Sequence, residues 1–430
     1  LPLYLGIDLG TSGCRALALT EAGEIAAQAE HPLPAPEREG ARVEQDPALW
    51  WRALGAALHA LAQHTSLRDV AALAVDGTSG TLLVCNAYGA PLAPALMYND
   101  ARSVCEADYI AEVAPPESGA HGRSSALAKL MHLQAGLGPR ARYALPPASW
   151  LAFKLGARLG VCDEHNCLKL GYDVIARRWP DWLDRLGIRR ELLPEVVGPG
   201  ADIGQVSEQA CAEFGFAPGT RIRAGATDST AAFIATGAHL PGEAVTSLGS
   251  TLVMKVLSEH PVFAPRYGVY SHRLGKLWLA GAGSNSGGAV LQHYFSADAM
   301  QTLSTLLQPD RPTGLDYYPL LVPGERFPVN DPTLAPRLEP RPADDTQFFQ
   351  GMLEGMASIE HQAYQRLAGL GAPYPVSIRS VGGGAKNKAW TKIRARLLQA
   401  PLLTPSHDEA AYGAALLARD GSTCNKSTST

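Results

Sequence analysis

The stretch Leu3-Tyr4-Leu5-Gly6-Ile7-Asp8-Leu9-Gly10-Thr11-Ser12-Gly13-Cys14-Arg15-Ala16-Leu17-Ala18-Leu19 decides the fold. Two apolar runs flank a short polar turn, the pattern of a β-hairpin, with Asp8 at the end of its first strand. Gly6, Gly10 and Gly13 admit positive φ and let a bound group approach the backbone closely. N–H groups of the turn, with Thr11 and Ser12, suit phosphate oxygens. Asp8 suits a hydrated Mg²⁺, because hard cations choose carboxylate and water. An ordinary Gly-rich hairpin fits the same residues, so the rest of the chain has to decide.

Composition narrows the classes. The 430 residues are 46% hydrophobic and 18% charged, enough core for two or three domains. A formal net charge of -4 carries no general nucleic-acid footprint. No apolar run approaches the ~20 residues of a membrane helix, and none reads as a signal peptide. The expected setting is cytoplasmic, with Leu1 leaving room for an organellar leader upstream. Seven cysteines are scattered along the chain. Cys162 and Cys167 bracket His165, but no second pair stands at metal-ligand spacing. Free, mostly buried thiols in a reducing compartment are the expectation.

Further along, Asp46-Pro47 is a helix start, a cap followed by proline at the first helical position. Residues 48–64 follow with Leu49, Leu54, Leu58 and Leu61 at helical spacing. Residues 70–75 read as a buried strand running into Asp76-Gly77-Thr78-Ser79-Gly80-Thr81, and 82–86 as a second strand, repeating the opening arrangement. A polar turn at a strand end is where open α/β sheets place ligands, although a plain hairpin turn fits too. Residues 103–144 are mainly helical with a break at 115–119, 161–166 is a polar turn, and 179–186 an amphipathic helix. Residues 193–204 form a loop leading to a short strand.

A strand at 221–224 meets Gly225-Ala226-Thr227-Asp228 and then a helix. Asp228 thus stands where a helix N-terminus favours an ionised carboxylate, and a simple helix cap explains it equally. Strands at 244–248 and 252–257 around Gly249-Ser250-Thr251 are the opening hairpin again without its aspartate, which implies a duplicated architecture. After an irregular Pro-rich stretch at 309–342 come a helix at 346–370 and a strand at 376–381. Gly382-Gly383-Gly384-Ala385-Lys386-Asn387 leads into a helix at 388–398, and a last helix spans 408–419.

The order and spacing of these strand ends resemble the FGGY carbohydrate kinases, within the superfamily of sugar kinases, actin-like proteins and heat-shock ATPases. The likeness covers nearly all of 3–419. It also includes Val43-Glu44-Gln45-Asp46-Pro47 and Tyr98-Asn99-Asp100-Ala101-Arg102. The resemblance implies an α/β fold of two actin-like ATPase (ribonuclease H-like) domains. Each would be a five-stranded mixed sheet with flanking helices, with an interdomain cleft that closes on binding. The implied sugar-binding domain is 1–237 plus 409–420, the nucleotide-binding domain 238–408, and 421–430 a disordered tail.

By the same resemblance Asp8 would hold Mg²⁺, through water, and Asp228 would be the general base. Thr11, Ser12, Gly13, Gly249, Ser250 and Thr251 would meet the phosphates of ATP, with Thr11 also near the transferring group. Gly383, Gly384, Asn387 and Trp390 would surround the adenosine. Xylulose kinases of the family carry a Gln-Met-His-Gly-like run where this chain has Gly77-Thr78-Ser79-Gly80-Thr81. The latter is similar to the shorter D-ribulose kinase branch, which implies Asp8, Ser79 and Asp228 as ketopentose contacts. The implied reaction is ATP-dependent phosphorylation of D-ribulose, with D-xylulose or another ketose or polyol next. The expected partners are sugar and ATP, with no nucleic acid or membrane, in a monomer or homodimer. An actin- or chaperone-type nucleotide binder and a sugar sensor are the non-enzymatic alternatives.

Overall fold

The computed structural model describes residues 1–421. The chain divides into two compact units. One comprises Leu1–Ala235 and the segment from Glu409 onward, and the other Thr236–Asp408. Cys424 and the expected tail beyond Gly421 lie outside the described residues.

The first unit is built on six strands: β1 (Leu3–Leu9), β2 (Gly13–Thr20), β3 (Ile25–Pro32), β4 (Val70–Gly77), β5 (Asp202–Gln205) and β6 (Arg221–Arg223). Their order is β5-β6-β4-β1-β2-β3. The opening stretch is the antiparallel hairpin β1–β2, with β4 parallel to β1 on its other side. These strands are apolar nearly throughout because both sheet faces are covered. On one face Leu5, Ile7, Leu9, Cys14, Ala16, Ala18, Leu73 and Val75 pack into a core with helix α1 (Pro47–Leu61). Asp46 caps α1, accepting from the Ala48 amide at 2.9 Å.

On the other face lies the C-terminal helix Ala410–Asp420. A Cβ on Gly6 would stand 1.9 Å from the Ala411 carbonyl oxygen, and one on Gly413 1.9 Å from that of Ala231. Backbone therefore meets backbone at both places, and only glycine permits it. This wedge fixes helix α4 (Asp228–Ala235) against the strand ends. Helices α2 (Ala126–Leu137) and α3 (Pro147–Leu155) belong to the same unit.

The second unit repeats the plan with β7 (Glu243–Leu248), β8 (Leu252–Ser258), β9 (Tyr270–Leu274), β10 (Leu277–Gly283), β11 (Ser377–Val381) and β12 (Leu402–Leu403). Their order is β9-β10-β8-β7-β11-β12. Its helices are α5 (Gly288–Tyr294), α6 (Ala297–Leu306), α7 (Asp345–Gly369) and α8 (Lys388–Leu398). Phe348, Phe349, Met352 and Met356 of α7 fill the core with Met254 and Val256 of β8. Within that core Arg394 of α8 forms two bonds to Glu360, at 2.6 and 2.7 Å, and reaches Ser380 of β11 at 2.6 Å. Glu360 also accepts from Thr246 of β7.

Four expectations need correction. Each main sheet has six strands, not five. The frame β3-β2-β1-β4-β6 matches β10-β8-β7-β11-β12 strand for strand, and each unit adds one antiparallel edge, β5 and β9 respectively. The strand after Thr81 does not return along β4. It is Leu83–Cys85 and pairs with Tyr143–Leu145, because Gly80, at φ +86°, and a 2.7 Å bond between the Thr78 and Thr81 hydroxyls turn the chain away. The polar turn at 161–166 is instead a strand, Val161–Asp163, and a buried helical turn, Glu164–Cys167. The helix expected at 179–186 shrinks to Trp182–Arg185, since Pro180 disfavours helical backbone at the preceding Trp179.

Candidate active site

In the first unit the strand ends gather carboxylates. The parallel register of β1 and β4 sets Asp8 beside Asp76, and the hairpin sets Asp8 opposite Arg15, itself opposite Glu30. A charged row, Asp76–Asp8–Arg15–Glu30, thus crosses four strands on one face. Arg15 lies 3.4 Å from the Asp8 carboxylate and 3.4 Å from that of Glu30. Asp76 is fully buried. Burial first, then the charge of Asp8, push the Asp76 carboxyl well above the usual range. The charges of Asp228 and Asp163 push in the same direction. Its surroundings therefore favour the protonated form of Asp76.

Asp228 reaches this group through the strand order. Gly77 and Thr227 form a parallel bridge that extends the β4–β6 pairing to the start of α4. A carboxylate oxygen of Asp228, half-buried, accepts from the Ser229 amide at 2.6 Å. The positive end of α4 favours its ionised form. Behind it, buried Asp163 accepts from the His165 and Asn166 amides at 3.0 and 2.9 Å and from the Asn166 side chain at 2.7 Å. The same Asn166 amide group donates to the Ala226 carbonyl at 3.1 Å, tying the 163–166 segment to the loop that presents Asp228. Burial pushes the Asp163 carboxyl up, against the pull of His165 and Asn166.

Ser79 sits half-buried in the turn after Asp76. Beneath that turn, Lys129 of α2 is fully buried and donates to the Gly80 and Ser124 carbonyls at 2.7 and 2.9 Å. Asp100 is also buried, but it is a strut. It accepts from the Val43 amide at 2.7 Å and from Arg102, which also binds Glu44 at 2.6 Å. Although burial pushes Asp100 up, these bonds outweigh it and hold the carboxyl below its usual range.

Thr11 and Ser12 lie at the tip of the β1–β2 turn, which the Gly10 amide closes onto the Gly13 carbonyl at 3.0 Å. Ser12 is exposed and Thr11 half-buried. An Mg²⁺ ion fits this end of β1 in chemistry. The Asp8 Oδ1 atom is buried with no protein partner, and carboxylate oxygen is what such an ion takes. No three metal-type side chains converge among the described residues, so water and phosphate would complete the shell. Cys14 plays no such part, since burial and then the Asp8 and Asp76 charges push its thiol far up.

The second unit holds a counterpart without carboxylates. A cavity of about 710 Å³ is lined by Gly249 and Ser250 of the β7–β8 turn, by Gly383, Gly384, Lys386 and Asn387, and by polar Gln292, Gln301 and Ser304. The Gly288 and Ala289 amides opening α5 donate to the Gly249 and Ser250 carbonyls at 2.8 and 3.1 Å, which fixes the turn at the rim. Asn387 caps α8, accepting from the Trp390 amide at 3.0 Å, and donates to Ser304 at 2.9 Å. Trp390 is buried. Its ring nitrogen donates to the Leu353 carbonyl at 3.2 Å, and its ring fills the space a Gly384 side chain would need. It is thus a wall of the cavity rather than a free stacking plate. Thr251 flanks the turn without lining the cavity.

Sequence reasoning singled out Asp8, Ser79 and Asp228, and the fold brings them to one sheet edge with Thr11, Ser12 and Gly13. It missed Asp76 and Asp163. Asp76 was legible as a second aspartate at a strand end, but only the β1–β4 register pairs it with Asp8. Asp163 lay in the segment weighed for metal ligation and set aside.

Two matches with known families span this frame. Residues 3–235 match the N-terminal domain of the FGGY family of carbohydrate kinases, and residues 244–419 match its C-terminal domain. The chain belongs to the FGGY carbohydrate kinases. Its relatives include the xylulose kinase of Escherichia coli K12, 25% identical over 99% of this chain and 91% of that protein. Another, the xylulose kinase of Streptomyces coelicolor, is 28% identical over 96% of this chain and 87% of that protein. The crystal structure of a xyloylose kinase from Brucella ovis superposes with a TM-score of 0.89 at 27% identity, covering 98% of this chain and 90% of that one. The protein is an ATP-dependent sugar kinase of this family with the actin-like ATPase fold.

Proposed function

We propose that the chain transfers the γ-phosphoryl group of ATP to a hydroxyl of a ketopentose, D-ribulose giving D-ribulose 5-phosphate. The observation that carries the reading is the set of acidic side chains at adjacent strand ends, with Asp228 at the head of α4. Phosphoryl transfer asks mainly for positioning and charge stabilisation, but a sugar hydroxyl is a weak acid and needs a base. Asp228 takes the hydroxyl proton as its oxygen bonds to the γ-phosphorus and the bond to ADP breaks. Asp8 accepts from sugar hydroxyls and would hold Mg²⁺ through water. Mg²⁺, when bound, neutralises phosphate charge. Ser79 offers a hydroxyl that both donates and accepts, as a polyol requires. The β7–β8 turn and the 710 Å³ cavity, with its glycine and amide lining, suit the phosphates and adenosine of ATP.

For D-ribulose the support is the Asp76–Thr81 run, which offers hydroxyls and no imidazole. D-xylulose is the second reading, favoured by the names of the relatives. A coupled ADP-release assay with ATP and Mg²⁺ across D-ribulose, D-xylulose, tetroses and glycerol tests both. D-Ribulose is expected to give the highest kcat/KM. A higher value for D-xylulose exchanges the two readings, and no stimulation by any polyol rejects a kinase.

A further inference from the structure

The turn that carries Ser79 has a neighbour that the reaction described above leaves unused. Lys169 sits in the turn Leu168–Leu170, directly after the segment in which Asp163 and Asn166 back the carboxylate group. The 163–170 segment therefore runs from the loop that presents Asp228 to Gly80 of the Asp76–Thr81 run. The Lys169 side chain lies across Gly80: its Cδ and Nζ stand 3.3 and 3.6 Å from where a Cβ on that glycine would be. Gly80, at φ +86°, has a backbone shape that side chains rarely adopt, so this space stays open.

Lys169 is half-buried, yet among the described residues its ammonium makes no hydrogen bond and no ion pair. That is an unusual state for a partly desolvated cation. The charges around it do not compensate. Lys129, on the other side of the Gly80 backbone, is a second cation, and Asp100 is already paired with Arg102. Burial, and then the charge of Lys169, pull Lys129 down to about 7. The turn thus has one ammonium with all three donors uncommitted.

We propose that Lys169 is a substrate-binding residue that donates to an electron-rich oxygen of the sugar, a carbonyl or a carboxylate, at the end held by Ser79. The inference rests on the sugar-kinase reading and adds the feature by which the enzyme separates ketoses and aldonates from reduced polyols. A plain hydroxyl accepts more weakly from a cation than a carbonyl or carboxylate does, so a sugar lacking that oxygen gains little from Lys169. Between the two oxygens, a carboxylate accepts more strongly from an ammonium because it is itself charged.

The test uses the full chain with ATP and Mg²⁺, comparing wild type, Lys169→Met and Lys169→Arg on D-ribulose, D-ribonate and ribitol. Lys169→Met is expected to raise KM for the ketose or the aldonate ~10–100-fold, the loss of one hydrogen bond to a charged group, with a smaller change in kcat. Lys169→Arg restores part of it, KM for ATP is unchanged, and ribitol responds equally poorly in all three. A KM for the ketose and the aldonate that stays within twofold in Lys169→Met, with wild type active, overturns this inference and leaves the kinase reading standing. No turnover of wild type with any sugar overturns the kinase reading. Calorimetric titration of the same three sugars then tests Lys169 separately, and equal binding to wild type and Lys169→Met overturns it there as well.

Discussion

The two units share one five-strand frame and put different chemistry on it. In the first, the end of β1 carries Asp8, with Asp76 beside it on β4 and Arg15 opposite on β2. In the second, the matching place on β7 is Ser247, with Val381 beside it on β11 and Val253 opposite on β8. The first unit therefore concentrates charge at its strand ends, while the second leaves its turn uncharged and opens a cavity instead. Its most deeply buried charged pair, Glu360–Arg394, is withdrawn into the core. The frame supplies adjacent strand ends in both cases. What those ends can do is set by which residues fall in register there.

Four substitutions probe this contrast. The largest expected effect is that of Asp228→Asn in the charged unit, a fall in turnover of ~10²–10⁴-fold, typical of removing a general base. Near-normal turnover with the fold intact would remove Asp228 from the chemistry. In the second unit, Arg394→Met strands a buried carboxylate and should cost about 3–5 kcal/mol of stability. Denaturant unfolding reads it, and adding Glu360→Gln should recover part of the loss. If the single variant is as stable as wild type, the pair does not hold β7 to α8.

Asp76→Asn imitates the protonated carboxyl, so turnover should change less than tenfold. A raised carboxyl favours the fold while protonated and loses that favour as pH rises through its shifted value. The variant should therefore lose less stability than wild type as pH rises above the ordinary carboxylate range, measured as the urea midpoint at several pH values. An equal loss in both would show that Asp76 is ionised throughout. The smallest effect concerns Lys129, held down to about 7 chiefly by burial. For a lowered lysine the contribution is full above the unfolded value and declines as pH falls to the folded one. Relative to Lys129→Met, wild type should gain at most ~1.4 kcal/mol per pH unit between pH 7 and 10. A flat difference would contradict the shift.

Much of this was open to reading in the chain. The hairpin, the Asp46-Pro47 cap and the apolar periods are local signals, and local signals survive into the fold because short-range sterics and capping bonds enforce them. Helix α8 and the β7–β8 hairpin fall where their patterns predicted. The edge strand β9 carried no comparable signal, since an edge is defined by a neighbour and not by its own residues. The segment 161–166 looked like a surface turn because its residues are polar. It is buried because Asp163 and Asn166 satisfy one another and the Ala226 carbonyl.

Residue type at strand ends, glycine where backbones must touch, and the two-unit plan were thus determined by sequence alone. Tertiary structure decided which of those residues meet. Asp8 and Asp76 are 68 positions apart, and only the parallel register of β1 and β4 brings them side by side, where the charge of one raises the carboxyl of the other. Lys129 and Lys169 come to the two sides of Gly80 from different elements. Pairings of that kind depend on long-range register and on burial, which set the local dielectric and hence the charge each group carries. No single stretch of sequence contains that information.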